Sequence, residues 1–413
     1  MNHFNRRNGE LYAEDVPLSA IAEAVGTPVY VYSAATLRRH AQVMQKPFKS
    51  ARHLLCFSVK ACSSLAILNL LREEGLGFDI VSGGELFRAL KAGADPKRIV
   101  FSGVGKTHKE IDEALKAGIL LFNAESEQEL LMIDAVARAR KKKAPISLRV
   151  NPDVDPKTHK YIATGLRDSK FGIPRVRARE AYRLAKSLPN LDVIGLDCHI
   201  GSQLTDVAPL VEAIGRLRVL IDELISDGVQ LKYLDLGGGL GITYNDEKPP
   251  PPQLYGRALR TSLAGLDVTL LLEPGRVIVG NAAVLVSRVI LTKAADSKRF
   301  VVTDAAMNDL IRPTLYEAFH AIEPVARPRR KKHVVDVVGP ICESGDFLAK
   351  DRELPELTQD DLVAIRSVGA YGFSMSSNYN SRGRPAEVLV DGDKFRVIRE
   401  RENYRDLIRG EVA

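Results

Sequence analysis

Cysteine is scarce. The 413-residue chain holds four, at positions 56, 62, 198 and 342. No pair has the spacing of a metal site or a redox motif, and a chain of this length does not need disulfide staples. A disulfide scaffold is excluded, no metal is expected, and the four read as reduced thiols. Cys56 and Cys198 lie in apolar runs and read as core. Cys342, in the polar stretch "GPICESGDF", is the one placed to react. Long apolar runs are missing too: none approaches the ~20 residues of a membrane-spanning helix. The stretch "MNHFNRRNGELYAEDV" has no apolar signal core. The expectation is a cytoplasmic protein with no membrane partner. Internal repeats and low-complexity tails are also absent.

Charge is mildly one-sided, with a formal net charge of +7. Two basic runs contribute, "RARKKK" (138–143) and "RPRRKKH" (327–333). Neither is interleaved with aromatics, and no nucleic-acid motif accompanies them, so nucleic acid is not an expected partner. A weak positive field suits an anionic cofactor or substrate. The 45% hydrophobic and 27% charged composition is that of an ordinary globular chain, and its length calls for two domains.

What is present is alternation. Eight strand-like runs occur at 53–59, 77–81, 98–102, 118–122, 145–150, 192–198, 231–236 and 268–273. Between them lie stretches with apolar spacing of three to four, such as "SSLAILNLLREEG" and "SEQELLMIDAVARAR". Strands alternating with helices imply parallel strands and crossover helices. Eight units predict a closed (β/α)8 barrel, with a doubly wound open sheet as the alternative. After about residue 275 the texture changes to Val- and Ile-rich runs with polar turns, the pattern of a mostly antiparallel β domain. "TPVYVYS" is strand-like and precedes the barrel. The predicted division is 1–32 joining the β domain, 33–275 as the barrel and 276–413 as the β domain. Pro249–Pro252 reads as a stiff loop between the seventh and eighth units.

Polar residues and glycines gather where these strands end. The first run leads to Lys60 and the second carries Asp79 into "SGGE". The fifth gives Arg149 and Asn151. The sixth leads to "HIGSQ", with His199, Gly201 and Ser202; the seventh to "GGGLG", residues 237–241; the eighth to "EPGR", with Glu273, Gly275 and Arg276. Strand C-termini are where a barrel places its active site. Each residue alone has a blander reading: a lysine reaching solvent, a tight turn, a core histidine, an exposed carboxylate. Together, an amine, a glycine loop open to phosphate, a flat imidazole and an acid for a ring nitrogen describe a pyridoxal phosphate site.

With those residues assembled, the chain resembles the diaminopimelate decarboxylases, of the alanine-racemase-like group of pyridoxal-phosphate enzymes. The likeness runs from about residue 10 to 405. It is carried by "GFDIVSGGEL", "FSGVGKT", "NPDVDPKTHKYIATGL", "KFGI", "HIGSQL", "DLGGGLGI" and "EPGR". The most specific segments are "RPTLYEAFH", "GPICESGDFLAKDREL" and "GAYGFSMSSNYNSRGRPAEVLV". The resemblance implies a barrel plus a β domain, and a homodimer with active sites at its interface. It implies that Lys60 links the cofactor, that His199 stacks on its ring and that Glu273 meets the ring nitrogen. Ser202, Gly238, Gly239, Gly275, Arg276 and Tyr371 are implied around the cofactor. Arg276, Arg312, Tyr316, Glu343 and Tyr371 are implied to bind substrate, and Cys342 to be the proton donor supplied by the other chain. One departure stands out: Ala61-Cys62 follows the lysine where relatives commonly carry Ala-Asn.

The reaction implied is decarboxylation of meso-2,6-diaminopimelate to L-lysine. A substrate with two charged ends requires two clusters of binding groups. Decarboxylases of ornithine, arginine or lysine are the near rivals, but their substrates have no distal carboxylate to explain Arg312. A racemase is disfavoured by "CESGD". A non-catalytic cofactor-binding relative is disfavoured by the pairing of Lys60 with Cys342, and a phosphate-binding barrel without pyridoxal phosphate would leave Lys60 without a task.

Overall fold

The computed structural model describes residues 2–155, 169–327 and 329–412. Most of "NPDVDPKTHKYIATGL" lies outside the described residues. The chain divides into two compact units, one of residues 41–242 with 248–277, the other of 1–40, 243–247 and 278–413.

The first unit is a closed barrel of eight parallel strands. They are β1 (His53–Ser58), β2 (Gly77–Ile80), β3 (Ile99–Phe101), β4 (Leu121–Ala124), β5 (Ala144–Asn151), β6 (Leu191–Asp197), β7 (Tyr233–Asp235) and β8 (Thr269–Leu272). Each pairs with the next, and β8 pairs with β1, so no edge is left open. The strands are apolar and nearly all buried, as parallel strands covered by helices must be.

Three of the helices between the strands start where the sequence supplies a side-chain cap. Ser82 accepts from the Glu85 N–H at the head of Gly83–Lys91. Ser126 does the same for Glu127–Ala139, and Thr107 with Glu110 forms a capping box for His108–Ala117. That last helix ends on Gly118 in the left-handed region, φ 75°. The helix terminus consumes the residues expected to start a strand at 118, so β4 begins at Leu121. Of the proline run, Pro252 opens the helix Pro252–Ser262, where a missing N–H costs nothing.

The second unit is a β structure. Strand Val29–Ser33 lies between Ala283–Ala294, antiparallel, and Ala386–Asp391, parallel. Strands Arg299–Thr303, Lys332–Val338, Phe347–Pro355, Leu362–Arg366 and Lys394–Arg399 extend it. Most pairings are antiparallel; among the described residues of this unit, Arg299–Thr303 with Lys332–Val338 is the other parallel one. Its core is aliphatic, built on Val29, Val31, Val284, Val286, Val388 and Val390.

Candidate active site

β1 ends at Ser58, and a single 3-10 turn, Val59–Ala61, carries Lys60 past the strand end. Its Nζ lies 3.0 Å from Asp79 Oδ2, on the adjacent β2. Asp79 is fully buried, and the Lys60 side chain is 37% exposed. The Ser58 hydroxyl sits 2.9 Å from the same Asp79 oxygen and 3.0 Å from the Glu273 carbonyl. Asp79 Oδ1 has no hydrogen-bond partner among the described residues. The amine is therefore held against a buried carboxylate, on a side chain that keeps part of its surface exposed.

The loops after β6, β7 and β8 are tied together beside it. A side chain on Gly238 would place its Cβ 2.1 Å from the Glu273 carbonyl oxygen, so the glycine loop lies directly on the end of β8. The Glu273 N–H donates to Gly237 O at 2.7 Å, and the Leu204 N–H to Gly239 O at 2.8 Å. Gly275 packs on Ser58 and Ala61, the turn that bears the lysine. The Arg276 guanidinium donates to Ser202 Oγ at 3.1 Å. The Gly238 N–H points to His199 Nδ1 at 3.3 Å. An accepting Nδ1 carries no proton, which makes this imidazole neutral. Burial, with the fields of Arg149 and Lys60, holds its pKa well below the usual histidine value.

Glu273 is buried, and its Oε1 accepts from Ser102 Oγ at 3.0 Å and Asn123 Nδ2 at 3.4 Å. The Asn123 amide also reaches Ser102 Oγ at 3.0 Å and Asp235 Oδ2 at 3.3 Å, while its own oxygen accepts from Ser147. Asp235 Oδ1 takes the Gly237 N–H at 2.9 Å. Burial first, then the charges of Asp235 and Asp79, raise the Glu273 pKa well above that of a free carboxyl; Lys60 and Arg149 oppose this. Oε2 of Glu273 accepts no hydrogen bond among the described residues. A buried carboxyl short of one donor and short of positive charge is built to receive a cationic N–H.

The remaining expected residues lie in the β unit. Arg312, buried, and Tyr316, half-buried, sit one turn apart on the short helix Arg312–Tyr316. Cys342 and Glu343 are exposed, in the loop that follows Lys332–Val338. That loop is clasped by Asp346, which accepts from the N–H groups of Met307 and Ile341, each at 2.7 Å. The Cys342 N–H donates to Asn380 Oδ1 at 2.9 Å. Tyr371 is half-buried with φ 56°, a left-handed conformation uncommon for a side chain of this size. The other three cysteines are buried, and none is in a disulfide.

Sequence reasoning gave no task to Ser102, Asn123, Ser147 or Asp235. The available signal was a polar residue inside an otherwise apolar barrel strand, as in "LFNA" and "YLD".

Residues 34–280 match the family described as pyridoxal-dependent decarboxylase, pyridoxal binding domain. The chain is 55% identical to a diaminopimelate decarboxylase of Vibrio cholerae over 98% of both chains. It is 53% identical to that of Pseudomonas aeruginosa, over 100% of this chain and 99% of the relative. The chain belongs to the diaminopimelate decarboxylase family. Diaminopimelate decarboxylases of known structure share the fold. One from Helicobacter pylori, complexed with L-lysine, superposes with a TM-score of 0.92 at 44% identity, covering 95% of this chain and 98% of that one. One from M. jannaschii, also with L-lysine, gives 0.95 at 37% identity, covering 100% and 99%. As a diaminopimelate decarboxylase, the chain is a pyridoxal-phosphate-dependent carboxy-lyase. It converts meso-2,6-diaminopimelate to L-lysine and carbon dioxide, the last step of lysine biosynthesis. The residues fit that cofactor: an amine at a strand end, a loop where no Cβ intrudes, and an acid with one oxygen unbonded.

Proposed function

We propose that the decarboxylation runs at the barrel mouth, with Lys60 as the amine that holds pyridoxal phosphate and Cys342 as the acid that protonates the carbon freed of carbon dioxide. The observation that carries this reading is the convergence of the Lys60 amine, the Gly237–Gly239 loop and the buried Glu273 carboxyl at adjoining strand ends. When bound, pyridoxal phosphate supplies an aldehyde that condenses with amines and a ring that accepts the electrons of the breaking bond.

With the cofactor bound, Glu273 would keep its ring nitrogen protonated and the neutral His199 would stack on its ring. Gly238, Gly239, Gly275, Ser202 and Arg276 would hold the phosphate, and Tyr371 would serve phosphate or substrate. Asp79 fixes the Lys60 amine at the strand end. Arg276, Arg312, Tyr316 and Glu343 bind the substrate, the last three reading its distal amino-acid head. Because the product is L-lysine, the head that survives is the L centre, and the carboxylate lost comes from the D centre of the meso substrate. Buried polar groups built for that head are left unpaired by substrates lacking it, which makes the selection strong.

The working unit in this reading is a homodimer in which exposed Cys342 serves the site of the second copy, and its place is the cytoplasm. Purified protein with added pyridoxal phosphate, assayed on meso-diaminopimelate, ornithine, arginine and lysine, tests the reading. Carbon dioxide release from diaminopimelate alone is expected. Turnover of ornithine but not diaminopimelate would overturn it.

A further inference from the structure

The helix Arg312–Tyr316 has a second face. Arg312 and Tyr316 stand four residues apart, on one side of a single turn, and Thr314, midway between them, falls on the opposite side. The half-buried Thr314 hydroxyl donates to the Gly345 carbonyl at 2.6 Å. That carbonyl belongs to the loop that carries Cys342. The loop also packs on the threonine's methyl: a Cβ on Gly345 would stand 3.2 Å from Thr314 Cγ2. The segment leading into the helix holds the same loop. Asp346 takes the N–H groups of Met307 and Ile341, and Gly339 lies so close on Ala306 that no Cβ would fit between them. Between Cys342 and Asp346 the chain is a tight turn, not a slack tether. The Asp346 N–H donates to Glu343 O at 3.0 Å, and the Gly345 N–H to Glu343 Oε1 at 3.3 Å. A displacement at Gly345 is therefore passed on to Cys342.

We propose that Thr314 is a positioning residue for proton delivery, its hydroxyl holding the loop that presents the Cys342 thiol. The inference rests on the reading of Cys342 given above. A proton donor must stand within hydrogen-bond reach of the carbon it serves, and a loop that drifts by an ångström loses that reach. Asn380 holds the Cys342 N–H from one side of the loop, and Thr314 anchors the turn behind it. Because the thiol serves the second copy, the hydroxyl that sets the rate of one site lies on the other chain.

The test uses holoenzyme and meso-diaminopimelate. Thr314→Val keeps the shape and removes the donor. It is expected to lower kcat about fivefold, the scale of one hydrogen bond, and to leave KM, calorimetric L-lysine affinity and pyridoxal phosphate affinity within about twofold. The solvent deuterium isotope effect on kcat should rise, because protonation slows relative to the other steps. Thr314→Ser, which restores the donor, should recover most of the rate. Added to Cys342→Ala, Thr314→Val should cost no further turnover. If Thr314→Val does not fold, Thr314→Ala carries the same comparison with Ser. A hybrid dimer then assigns the chain. With Lys60→Ala in one chain and Cys342→Ala in the other, one complete site remains, its lysine from the second chain and its thiol from the first. Thr314→Val should slow that site from the chain that gives the thiol and leave it unchanged from the chain that gives the lysine. Unchanged kcat in Thr314→Val, equal losses in the Val and Ser variants, or a raised KM alone would overturn the inference and leave the reading of Cys342 intact. So would a further loss on the Cys342→Ala background, or slowing from the lysine-giving chain of an active hybrid. A hybrid without activity would instead overturn the reading of the thiol as the second copy's, and the comparison of Val with Ser would still decide the role of Thr314.

Discussion

Lys60 and Asp79 meet at 3.0 Å across the ends of β1 and β2, a half-exposed amine against a fully buried carboxylate. The pair holds the amine at the strand end. Lys60→Ala removes the nitrogen and leaves the strand. The variant is expected to bind pyridoxal phosphate without covalent attachment and to release no measurable carbon dioxide. Mass spectrometry after borohydride reduction checks this; a cofactor-sized mass increment in the variant would refute the assignment.

Gly238 tolerates no side chain. Its Cβ would stand 2.1 Å from a backbone oxygen, which cannot rotate away. Gly238→Ala should cost stability by about 1–3 kcal/mol, as overpacking does, and weaken cofactor binding more than it alters kcat at saturating cofactor. Thermal melts and a pyridoxal phosphate titration measure the two effects. An unchanged melting temperature with unchanged cofactor affinity would show that the loop does not rest on β8.

Asp235 supplies a pH prediction. Burial, then the charge of Asp197, pushes its pKa up to about 8 from 3.8. A carboxyl raised on folding favours the folded state fully below pH 3.8, and that contribution is lost as pH rises through about 8. Asp235→Asn cannot ionise, so it escapes the loss. The melting temperature of the variant relative to the parent, both free of cofactor, should climb between pH 4 and 8 and level off above. A flat difference would mean that Asp235 is already ionised in the folded barrel.

Cys342 sits exposed on a loop fixed by Asp346 and Asn380. Cys342→Ala should retain bound cofactor and lose turnover by about a hundredfold, the scale of one general acid. Stopped-flow absorbance separates the two properties. Near-normal turnover would remove the thiol from the mechanism.

Much of this was legible because barrel strands announce themselves. Apolar runs such as "HLLCFS" and "LDVIGLD" are too short and too uniformly apolar for surface helices, and their C-terminal neighbours are polar. That places Lys60, His199, Glu273 and Arg276 just past strand ends, where the fold has them. The interior network was not legible, because Asn123, Ser147 and Asp235 are separated by tens of residues and acquire meaning only when barrel closure brings β4, β5 and β7 to the interior face of β8. The segment 243–247 was missed for a related reason. It interrupts the barrel by only five residues, too few to change composition, yet it packs with the β unit and carries Tyr244 to Arg312.

The hydrogen-bonded path from Ser147 through Asn123 to Glu273 joins three different walls of the barrel. If the ring nitrogen of a coloured cofactor rests on Glu273, as proposed, that cofactor would work as a strain gauge for the hoop. Loosening the closure between β4 and β5 would disturb Asn123, a donor on that carboxyl, and with it the absorbance of the bound ring. Spectra recorded during unfolding would then register the opening of the barrel before the cofactor is lost.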